Sequence, residues 1–219
     1  MRNNLRYRYT VNSENKNIND GFALPIVEQF YTVQGEGYHT GKAAYFIRIG
    51  GCDIGCRWCD TKYSWNADLH PVVGIESIIE NVLACGADSV VVTGGEPLMW
   101  NLGPLCVGLH SKEIKTFLET SGAYPLSGEW DWIALSPKKG NPPLDPIWSK
   151  ADELKVIIEN PDDLTEAENY SRKTSSSCRL FLQPEWSRYQ DLIPVITEYV
   201  KKNTRWRVSL QSHKFMHIP

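Results

Sequence analysis

Residues 43–65, AAYFIRIGGCDIGCRWCDTKYSW, contain the segment that decides the fold. The run at 43–51 is rich in β-branched and aromatic residues and ends in glycines, which predicts a strand followed by a loop. The loop carries Cys52, Cys56 and Cys59 in the spacing C-x3-C-x2-C, so one loop can surround a single metal centre with three thiolates. Thiolates select iron–sulfur clusters or zinc. The segment therefore predicts a metal-bearing loop at the carboxyl end of a strand.

The number of cysteines in this loop bears on the kind of metal centre. A structural zinc site normally has four protein ligands, and the nearest histidines, His39 and His70, lie outside the loop without the spacing of a zinc finger. Three thiolates leave one iron of a four-iron cluster open to a further ligand. A zinc site and three packing cysteines remain alternatives to an iron–sulfur cluster with an open iron.

The rest of the chain alternates strand-like and helical runs. Further strand-like runs, most of them short and apolar, lie at 89–95, 115–122, 132–138, 153–158, 179–184 and 206–211. Helical stretches fit at 73–87, 104–113, 161–173 and 188–203. This alternation is typical of α/β folds whose parallel strands are buried on both faces. The connections at 121–131 and 139–152 are short or rich in Pro and Gly, so the sequence predicts a partial, TIM-like barrel of about six parallel strands with reduced helices. Its site should lie at the carboxyl ends of the strands.

Length, composition and charge narrow the function classes. With 219 residues and 42% hydrophobic content, the chain can form one compact domain, which we place at 26–219 after a polar arm at 1–25. A net charge of -3 without a basic run argues against a nucleic-acid partner. The sequence shows neither a membrane span nor a signal peptide, which predicts a cytoplasmic protein. Disulfides are rare in that compartment, and the three cysteines outside the loop are expected to pack in the interior.

Two motifs together resemble those of the radical S-adenosylmethionine superfamily. The first is the cysteine spacing after the first strand, with Trp58 before the third cysteine, and the second is TGGEP at 93–97 after the next strand. By itself the second motif could be a tight turn. The resemblance implies a 4Fe-4S cluster on the three loop cysteines and S-adenosylmethionine at the open iron. The residues that it assigns to the cofactor are Trp58, Cys59, Asp60, Gly94, Gly95 and Glu96.

The segment at 27–52, VEQFYTVQGEGYHTGKAAYFIRIGGC, resembles the 7-carboxy-7-deazaguanine synthase family more specifically. In that family the residues matching this segment and the second strand contact a pterin-like substrate. The positions here are Val33, Gln34, Gly35, Arg48 and Thr93. A planar guanidinium suits a carboxylate, whereas taken singly the glycines could be turn residues and the arginine a surface residue.

Three further motifs extend this resemblance. Asp60-Thr61 matches a pair in which the hydroxyl of Thr61 ligates magnesium beside the substrate carboxylate, a credible site for a cation that prefers oxygen ligands; otherwise the pair would be a helix cap. Residues matching Ser136, Pro137 and Lys138, and Gln183, approach S-adenosylmethionine in the family.

The chain ends in WRVSLQSHKFMHIP, which resembles the family terminus whose proline carboxylate reaches the substrate. Pro219 is the matching residue, and the alternative is a frayed end. His217 stands where many members have glycine.

The resemblance implies a lyase that converts 6-carboxy-5,6,7,8-tetrahydropterin to 7-carboxy-7-deazaguanine with loss of ammonia, in queuosine or deazapurine biosynthesis. It also implies Mg2+, a homodimer, and an electron donor such as flavodoxin. It assigns no catalytic side chain, because the cluster and S-adenosylmethionine supply the chemistry. An activating enzyme for a glycyl-radical protein and a zinc-stabilised binding module are the alternatives.

Overall fold

The computed structural model describes residues 18–219, and its centre is one mostly parallel sheet. In those residues the sheet has nine strands in the order β3-β1-β2-β4-β5-β6-β7-β8-β9. The strands are β1 (Ala23–Val33), β2 (Ala43–Ile49), β3 (Val72–Gly74), β4 (Ser89–Gly94), β5 (Lys115–Thr120), β6 (Trp132–Leu135), β7 (Glu153–Ile158), β8 (Arg179–Pro184) and β9 (Trp206–Val208). From β2 to β9 every pairing between neighbours is parallel. The sheet curves into a barrel that does not close, which confirms the predicted fold class.

The helices are few and short. The α-helices are α1 (Ile75–Ala84), α2 (Gly103–His110), α3 (Asp145–Trp148), α4 (Asp163–Ser171), α5 (Tyr189–Lys202) and α6 (Ser212–Met216). The predicted helices correspond to α1, α2, α4 and α5, and the predicted poor connection at 121–131 has no helix. The connection at 139–152 has only the single turn α3. Within residues 18–219 no helix combines the length and apolarity needed to cross a membrane.

Two antiparallel strands were not predicted. Strand β1 pairs antiparallel with β2 and with β3, and it begins at Ala23, three residues before the predicted domain boundary at 26. Leu24 is fully buried in the main core, so residues 23–25 belong to the sheet. Residues 1–17 of the predicted arm lie outside the described residues, and for them the arm stays a prediction.

Alternation along the parallel strands divides the core into two parts. Because successive side chains point to opposite faces of a strand, one face packs against the helices in a continuous aliphatic core. Val90 and Val92 of β4, Leu118 of β5, and Leu154 and Val156 of β7 belong to it. The neighbouring positions on the same strands point into the barrel.

The interior of the barrel changes character from one end to the other. Near the amino ends of the strands, Phe46, Val91 and Phe117 form a separate buried cluster with Ala44, and Phe30 and Trp132 pack against it. His39 stacks on the ring of Phe117, with ring centroids 4.4 Å apart. Two residues further along the same strands, the interior side chains are polar. The aromatic layer therefore closes one end of the barrel and leaves a polar cavity at the other.

Candidate active site

The polar end of the barrel contains a cavity of about 510 Å³. It lies at the carboxyl ends of the parallel strands, where the sequence predicts the site. Of the predicted site residues, all but Pro137 line it: Val33, Gln34, Gly35, Arg48, Cys52, Cys56, Trp58, Cys59, Asp60, Thr61, Thr93, Gly94, Gly95, Glu96, Ser136, Lys138, Gln183 and Pro219. The fold thus brings together motifs that are separated by up to 186 residues in the sequence, between Val33 and Pro219.

The cysteine loop lines one wall of this cavity. Cys52, Cys56 and Cys59 are free thiols of intermediate burial, and burial raises the pKa of Cys52 to about 11 and also raises the pKa of Cys56. Such thiols become thiolates on binding a metal, which deprotonates them. Three thiols on one loop at the edge of the cavity fit a 4Fe-4S cluster, in which each thiolate binds its own iron.

The GGEP turn packs directly on the strand end that precedes the cysteine loop. Gly94 has φ of 130°, and a Cβ there would lie 2.3 Å from the carbonyl oxygen of Ile49. A Cβ on Gly95 would lie 2.2 Å from the carbonyl oxygen of Gly51. Backbone hydrogen bonds join Gly95 to Ile49 (2.9 Å) and Glu96 to Gly51 (2.8 Å). Both glycines are therefore required by the close approach of two backbones, and this approach holds the turn beside the cysteine loop.

The Glu96 carboxylate anchors the same turn to β5. The side chain is buried, and Oε1 accepts hydrogen bonds from the amide of Leu98 (3.1 Å) and the hydroxyl of Thr120 (2.5 Å). Oε2 accepts from the amide (2.8 Å) and the hydroxyl (2.5 Å) of Ser121. A carboxylate has about four acceptor sites, so protein donors occupy all of them. Glu96 acts on the cavity by fixing the backbone around it.

A lysine lies beside the cysteine loop. Lys138 places its Nζ 5.3 Å from the ring centroid of Trp58 and donates a hydrogen bond to the Ser136 hydroxyl at 2.6 Å. Burial lowers the pKa of Lys138, while the nearby thiol of Cys56 acts in the opposite direction. The predicted residues Trp58, Ser136 and Lys138 therefore form one connected group next to the thiols.

Next to the aromatic layer, a polar wall of the cavity is formed around Glu119 of β5, which connects two residues that were predicted to contact substrate. Its Oε1 accepts a hydrogen bond from Nε2 of Gln34 at 3.0 Å, and its Oε2 accepts from the hydroxyl of Thr93 at 2.8 Å. Gln34 is held further by the amide of Glu36, which donates to its Oε1 at 3.0 Å. This wall therefore presents a carboxylate, an amide and a hydroxyl in fixed positions.

Arg48 of β2 contributes a cation to the cavity. Its Nε donates to Oε1 of Glu28 at 2.6 Å, and the hydroxyl of Tyr63 donates to the same oxygen at 3.2 Å. Within residues 18–219 the two Nη atoms of Arg48 make no hydrogen bond, so the outer fork of the guanidinium can take a ligand anion.

Thr61 occupies the position before a 3₁₀ turn at Lys62–Ser64, but its side chain makes no capping hydrogen bond. Its hydroxyl instead lies 3.5 Å from Sγ of Cys59. Thr61 thus stands at the N-cap position, as the alternative interpretation expects, but its hydroxyl does not cap the turn. Asp60 accepts a hydrogen bond from Nζ of Lys214 at 2.7 Å, a contact that the sequence did not predict.

The C-terminal segment folds back onto the cavity. Ile218 and Pro219 are among its lining residues. His217, where family members often have glycine, ends α6 with φ of 55° and ψ of 40°. This left-handed conformation is natural for glycine and is tolerated by histidine better than by most residues. The departure from the family pattern is therefore compatible with the turn that directs the last two residues into the cavity.

Six charged residues that line the cavity were not predicted as site residues: Glu28, Glu36, Glu119, Lys155, Glu185 and Lys214. Two of them had a recognisable signal, since Glu119 and Lys155 interrupt apolar runs of strands that are buried on both faces. A charge in such a strand has to point into a polar interior or be paired.

Comparison with known proteins gives the family. Residues 46–173 match the model of the Radical SAM superfamily. The chain is 52% identical over 202 residues to a 7-carboxy-7-deazaguanine synthase of Flavobacterium psychrophilum, covering 92% of this chain and 96% of the relative. It is 44% identical over 196 residues to one of Synechocystis, covering 90% and 94% of the two chains.

The fold gives the same result. The crystal structure of QueE from Escherichia coli superposes with a TM-score of 0.80 at 30% identity, covering 91% of this chain and 99% of that chain. The superfamily implies a 4Fe-4S cluster and S-adenosylmethionine, and the three thiols beside the GGEP turn fit that requirement. The alternatives of a glycyl-radical activating enzyme and a zinc module are not supported by these relatives. By sequence, fold and cavity, the chain belongs to the 7-carboxy-7-deazaguanine synthase family of radical S-adenosylmethionine lyases.

Proposed function

We propose that this enzyme converts 6-carboxy-5,6,7,8-tetrahydropterin to 7-carboxy-7-deazaguanine with loss of ammonia, as a step of queuosine or deazapurine biosynthesis. The observation that carries the proposal is a single cavity lined both by the three thiols and by the connected group of Gln34, Thr93 and Glu119. When bound, the cluster and S-adenosylmethionine supply a 5′-deoxyadenosyl radical. The task of the protein is to orient both reactants and exclude water.

The polar wall suits the pyrimidine ring of a pterin. That ring carries N–H donors, and the carboxylate of Glu119, already oriented by two hydrogen bonds, is a charge-assisted acceptor for them. The outer fork of Arg48 would pair with the substrate carboxylate, because its Nε is already fixed by Glu28. Val33 and Gly35 would add backbone contacts. These interactions would fix the orientation of the ring in the cavity.

On the cofactor side, we propose that backbone groups of Gly94 and Gly95 meet the methionyl amino group. Glu96 would act as a positioning residue, since protein donors already surround its carboxylate. Trp58, Ser136, Lys138 and Gln183 would enclose the rest of S-adenosylmethionine, with Asp60 at the edge of the loop. Pro137 would act only through the backbone that places its neighbours, because it does not line the cavity.

We further propose that Thr61 ligates Mg2+ together with the substrate carboxylate and water. Its hydroxyl is not used as a helix cap and lies in the cavity. Mg2+ accepts few protein ligands and retains several waters, so one hydroxyl and one substrate carboxylate form a reasonable set. The terminal carboxylate of Pro219 would complete the substrate contacts from the opposite end of the chain.

The test is anaerobic reconstitution of the cluster, followed by incubation with S-adenosylmethionine, reductant, Mg2+ and the carboxypterin. Formation of 7-carboxy-7-deazaguanine is expected, with S-adenosylmethionine regenerated rather than consumed in proportion to product. Cleavage of S-adenosylmethionine without any deazaguanine would refute the substrate and leave the superfamily intact. Deletion of Pro219 should raise the KM for the carboxypterin at least tenfold. Cleavage of S-adenosylmethionine, measured without carboxypterin, should be unchanged.

The cellular setting is proposed from the family resemblance alone. We propose a cytoplasmic homodimer that receives its electron from a small donor protein such as flavodoxin. Sedimentation of the purified protein tests the dimer, and turnover with flavodoxin and its reductase in place of dithionite tests the donor.

A further inference from the structure

The turn at 34–37 holds the segment that follows β9. The amide of Gly37 donates to Oγ of Ser209 at 3.0 Å, and both the amide and the hydroxyl of Ser212 donate to the carbonyl oxygen of Gly35 at 2.9 Å. No side chain fits at Gly35, because a Cβ there would lie 2.2 Å from Nδ1 of His213. The turn and the C-terminal segment are thus in direct backbone contact.

Glu36 lies at the centre of this contact and joins three elements. Its Oε1 accepts a hydrogen bond from Nε2 of Gln211 in the C-terminal segment at 2.9 Å. Its Oε2 accepts from Nε2 of Gln183 in β8 at 3.1 Å and from Nζ of Lys155 in β7. Gln183 is fixed in turn by the hydroxyl of Ser209, which donates to its Oε1 at 2.7 Å. One carboxylate therefore connects the rigid strands of the barrel to the end of the chain.

The charges of Glu36 and Lys155 are buried, with side chains 16% and 7% exposed. Burial opposes ionisation of Glu36, but the charge and the hydrogen bond of Lys155 outweigh it and lower its pKa to about 2. Burial likewise opposes the charge of Lys155, and Glu36 raises its pKa. Replacing such a pair by apolar residues is often neutral or stabilising. The pair therefore contributes a defined position for Gln211 rather than net stability, because the hydrogen bonds of Glu36 specify where Gln211 lies.

A second contact holds the same segment from the side of the cysteine loop. Nζ of Lys214 donates to Oδ2 of Asp60 at 2.7 Å and to Oε1 of Gln211 at 3.1 Å, and it lies 4.8 Å from the ring centroid of Trp186. Gln211 thus donates to Glu36 and accepts from Lys214. It is the residue at which the inner and outer contacts meet.

We propose that Glu36 and Lys155 are positioning residues that fix the segment 209–219 against the cavity and so present the terminal carboxylate to the substrate. The proposal rests on the proposed function, in which Pro219 contacts the carboxypterin. It adds two residues that act at a distance, through Gln211 and the turn at 34–37.

The first readout is hydrogen–deuterium exchange of the apoprotein, measured for the peptide 209–216 and for β4 as a reference. The variants are Glu36→Met, Lys155→Met and the double variant, with Lys201→Met as a matched control that breaks an exposed ion pair to Glu198. The double variant removes both charges of the pair, so we expect its thermal unfolding to be closer to that of the parent than the thermal unfolding of either single variant. Exchange of 209–216 should nevertheless be at least tenfold faster, while exchange of β4 is unchanged.

The second readout is kinetic. In the double variant the KM for the carboxypterin should rise at least tenfold, and by a larger factor than the KM for S-adenosylmethionine, which Gln183 contacts in the proposed site. Slow exchange of 209–216 in the double variant, an equal increase over the whole sheet, or an unchanged KM would overturn the proposal. If the parent enzyme made no deazaguanine, the proposed function would fail, and the exchange data would still decide whether these residues hold the segment.

Discussion

Arg48, Glu119 and Lys155 lie on strands of the sheet, and each places a charge in the barrel interior. Each has a partner there: Glu28 accepts from Arg48, Glu36 accepts from Lys155, and Glu119 accepts from two neutral groups. A charge removed from water is tolerated only with such partners. The polarity of the cavity is therefore built from single interior positions of otherwise apolar strands.

Thr61 is the residue at which the magnesium proposal is tested. Thr61→Ala removes the only side-chain oxygen proposed as a protein ligand, so we expect at least a tenfold higher Mg2+ concentration for half-maximal turnover. Thr61→Ser keeps the hydroxyl and should behave like the parent within about twofold. Titration of the reconstituted enzyme with Mg2+ at saturating substrate measures this. The same Mg2+ requirement in the alanine variant would refute the assignment.

Glu119 offers a test of substrate recognition. Glu119→Gln keeps the shape and removes the charge, which weakens a charge-assisted hydrogen bond to the pterin by about 1–2 kcal/mol. The expected result is a roughly 5- to 30-fold loss in kcat/KM for the carboxypterin, with unchanged cleavage of S-adenosylmethionine in its absence. Steady-state kinetics of Glu119→Gln measure this loss, with Glu113→Gln, a variant at an exposed surface position, as the control. A loss of S-adenosylmethionine cleavage instead would place Glu119 on the cofactor side.

At the scale of elements, the site depends on how β2 and β4 end. The two strands pair in parallel up to Ile49 and Gly94, and the chain then leaves each strand in a turn that contacts the other by backbone hydrogen bonds. The GGEP turn has no side chain at Gly94 or Gly95, because the carbonyl oxygens of Ile49 and Gly51 occupy that space. The cysteine loop and the GGEP turn are thus positioned by main chain.

Gly94→Ala tests this contact. The residue combines a positive φ with a Cβ position 2.3 Å from a backbone oxygen, and backbone cannot move aside as a flexible side chain can. Gly41→Ala is the matched control, since Gly41 has φ of 90° and no atom within 4 Å of its Cβ position. The control should lose about 1–2 kcal/mol of unfolding free energy from the backbone conformation alone.

We expect Gly94→Ala to lose at least twice as much as the control, as measured by urea denaturation of both apoproteins. Equal losses in the two variants would mean that the ends of β2 and β4 can separate without cost.

At the scale of the whole molecule, the barrel is open at one end and closed at the other. The aromatic layer around Phe46 and Phe117 fills the amino end of the strands, and His39 and Tyr38 extend it by stacking on Phe117 and Trp132. Access to the cavity is therefore left to the carboxyl end, where the turn at 34–37 and the C-terminal segment meet. The chain termini of the domain contribute to one site although they are far apart in sequence.

The buried Glu36 connects this architecture to acid stability. Its pKa falls from 4.5 to about 2 on folding, so the folded state binds its proton less readily than the unfolded state. The contribution of Glu36 to the free energy of unfolding is complete above pH 4.5 and is lost as the pH falls toward 2. A pKa shift of this size corresponds to roughly 3 kcal/mol.

Glu36→Gln should therefore lower Tm at pH 7, and its Tm should fall less steeply than that of the parent between pH 5 and 3. Circular dichroism melts of both apoproteins measure this, with the exposed Glu80→Gln as the control. Parallel Tm curves for parent and Glu36→Gln would contradict the shift. Burial raises the pKa of Glu153, so Glu153 changes stability with pH in the opposite direction. Since it does so in the parent and in the variant alike, the difference between their Tm curves reports Glu36.

The sequence by itself determined the class of the molecule. The strand before the cysteine loop, the later apolar runs and the GGEP turn predicted the parallel barrel and the superfamily, because short apolar strands and glycine turns are local signals with a physical cause. Strand β1 was missed since the adjacent polar residues Glu28 and Gln29 interrupt its apolar run, and its antiparallel partners are not visible in the sequence. The predicted site residues, apart from Pro137, line one cavity, and their roles stay predictions.

What only the tertiary structure decided is which groups contact one another. Glu36 and Lys155 are 119 residues apart, and nothing local in either segment predicts that they pair, or that Gln211 completes the set. The same holds for Glu96, whose carboxylate is satisfied by Thr120 and Ser121 rather than left open. Hydrogen bonds and ion pairs depend on positions in space to within a few tenths of an ångström. Periodicity and motifs fix only the order of the elements along the chain.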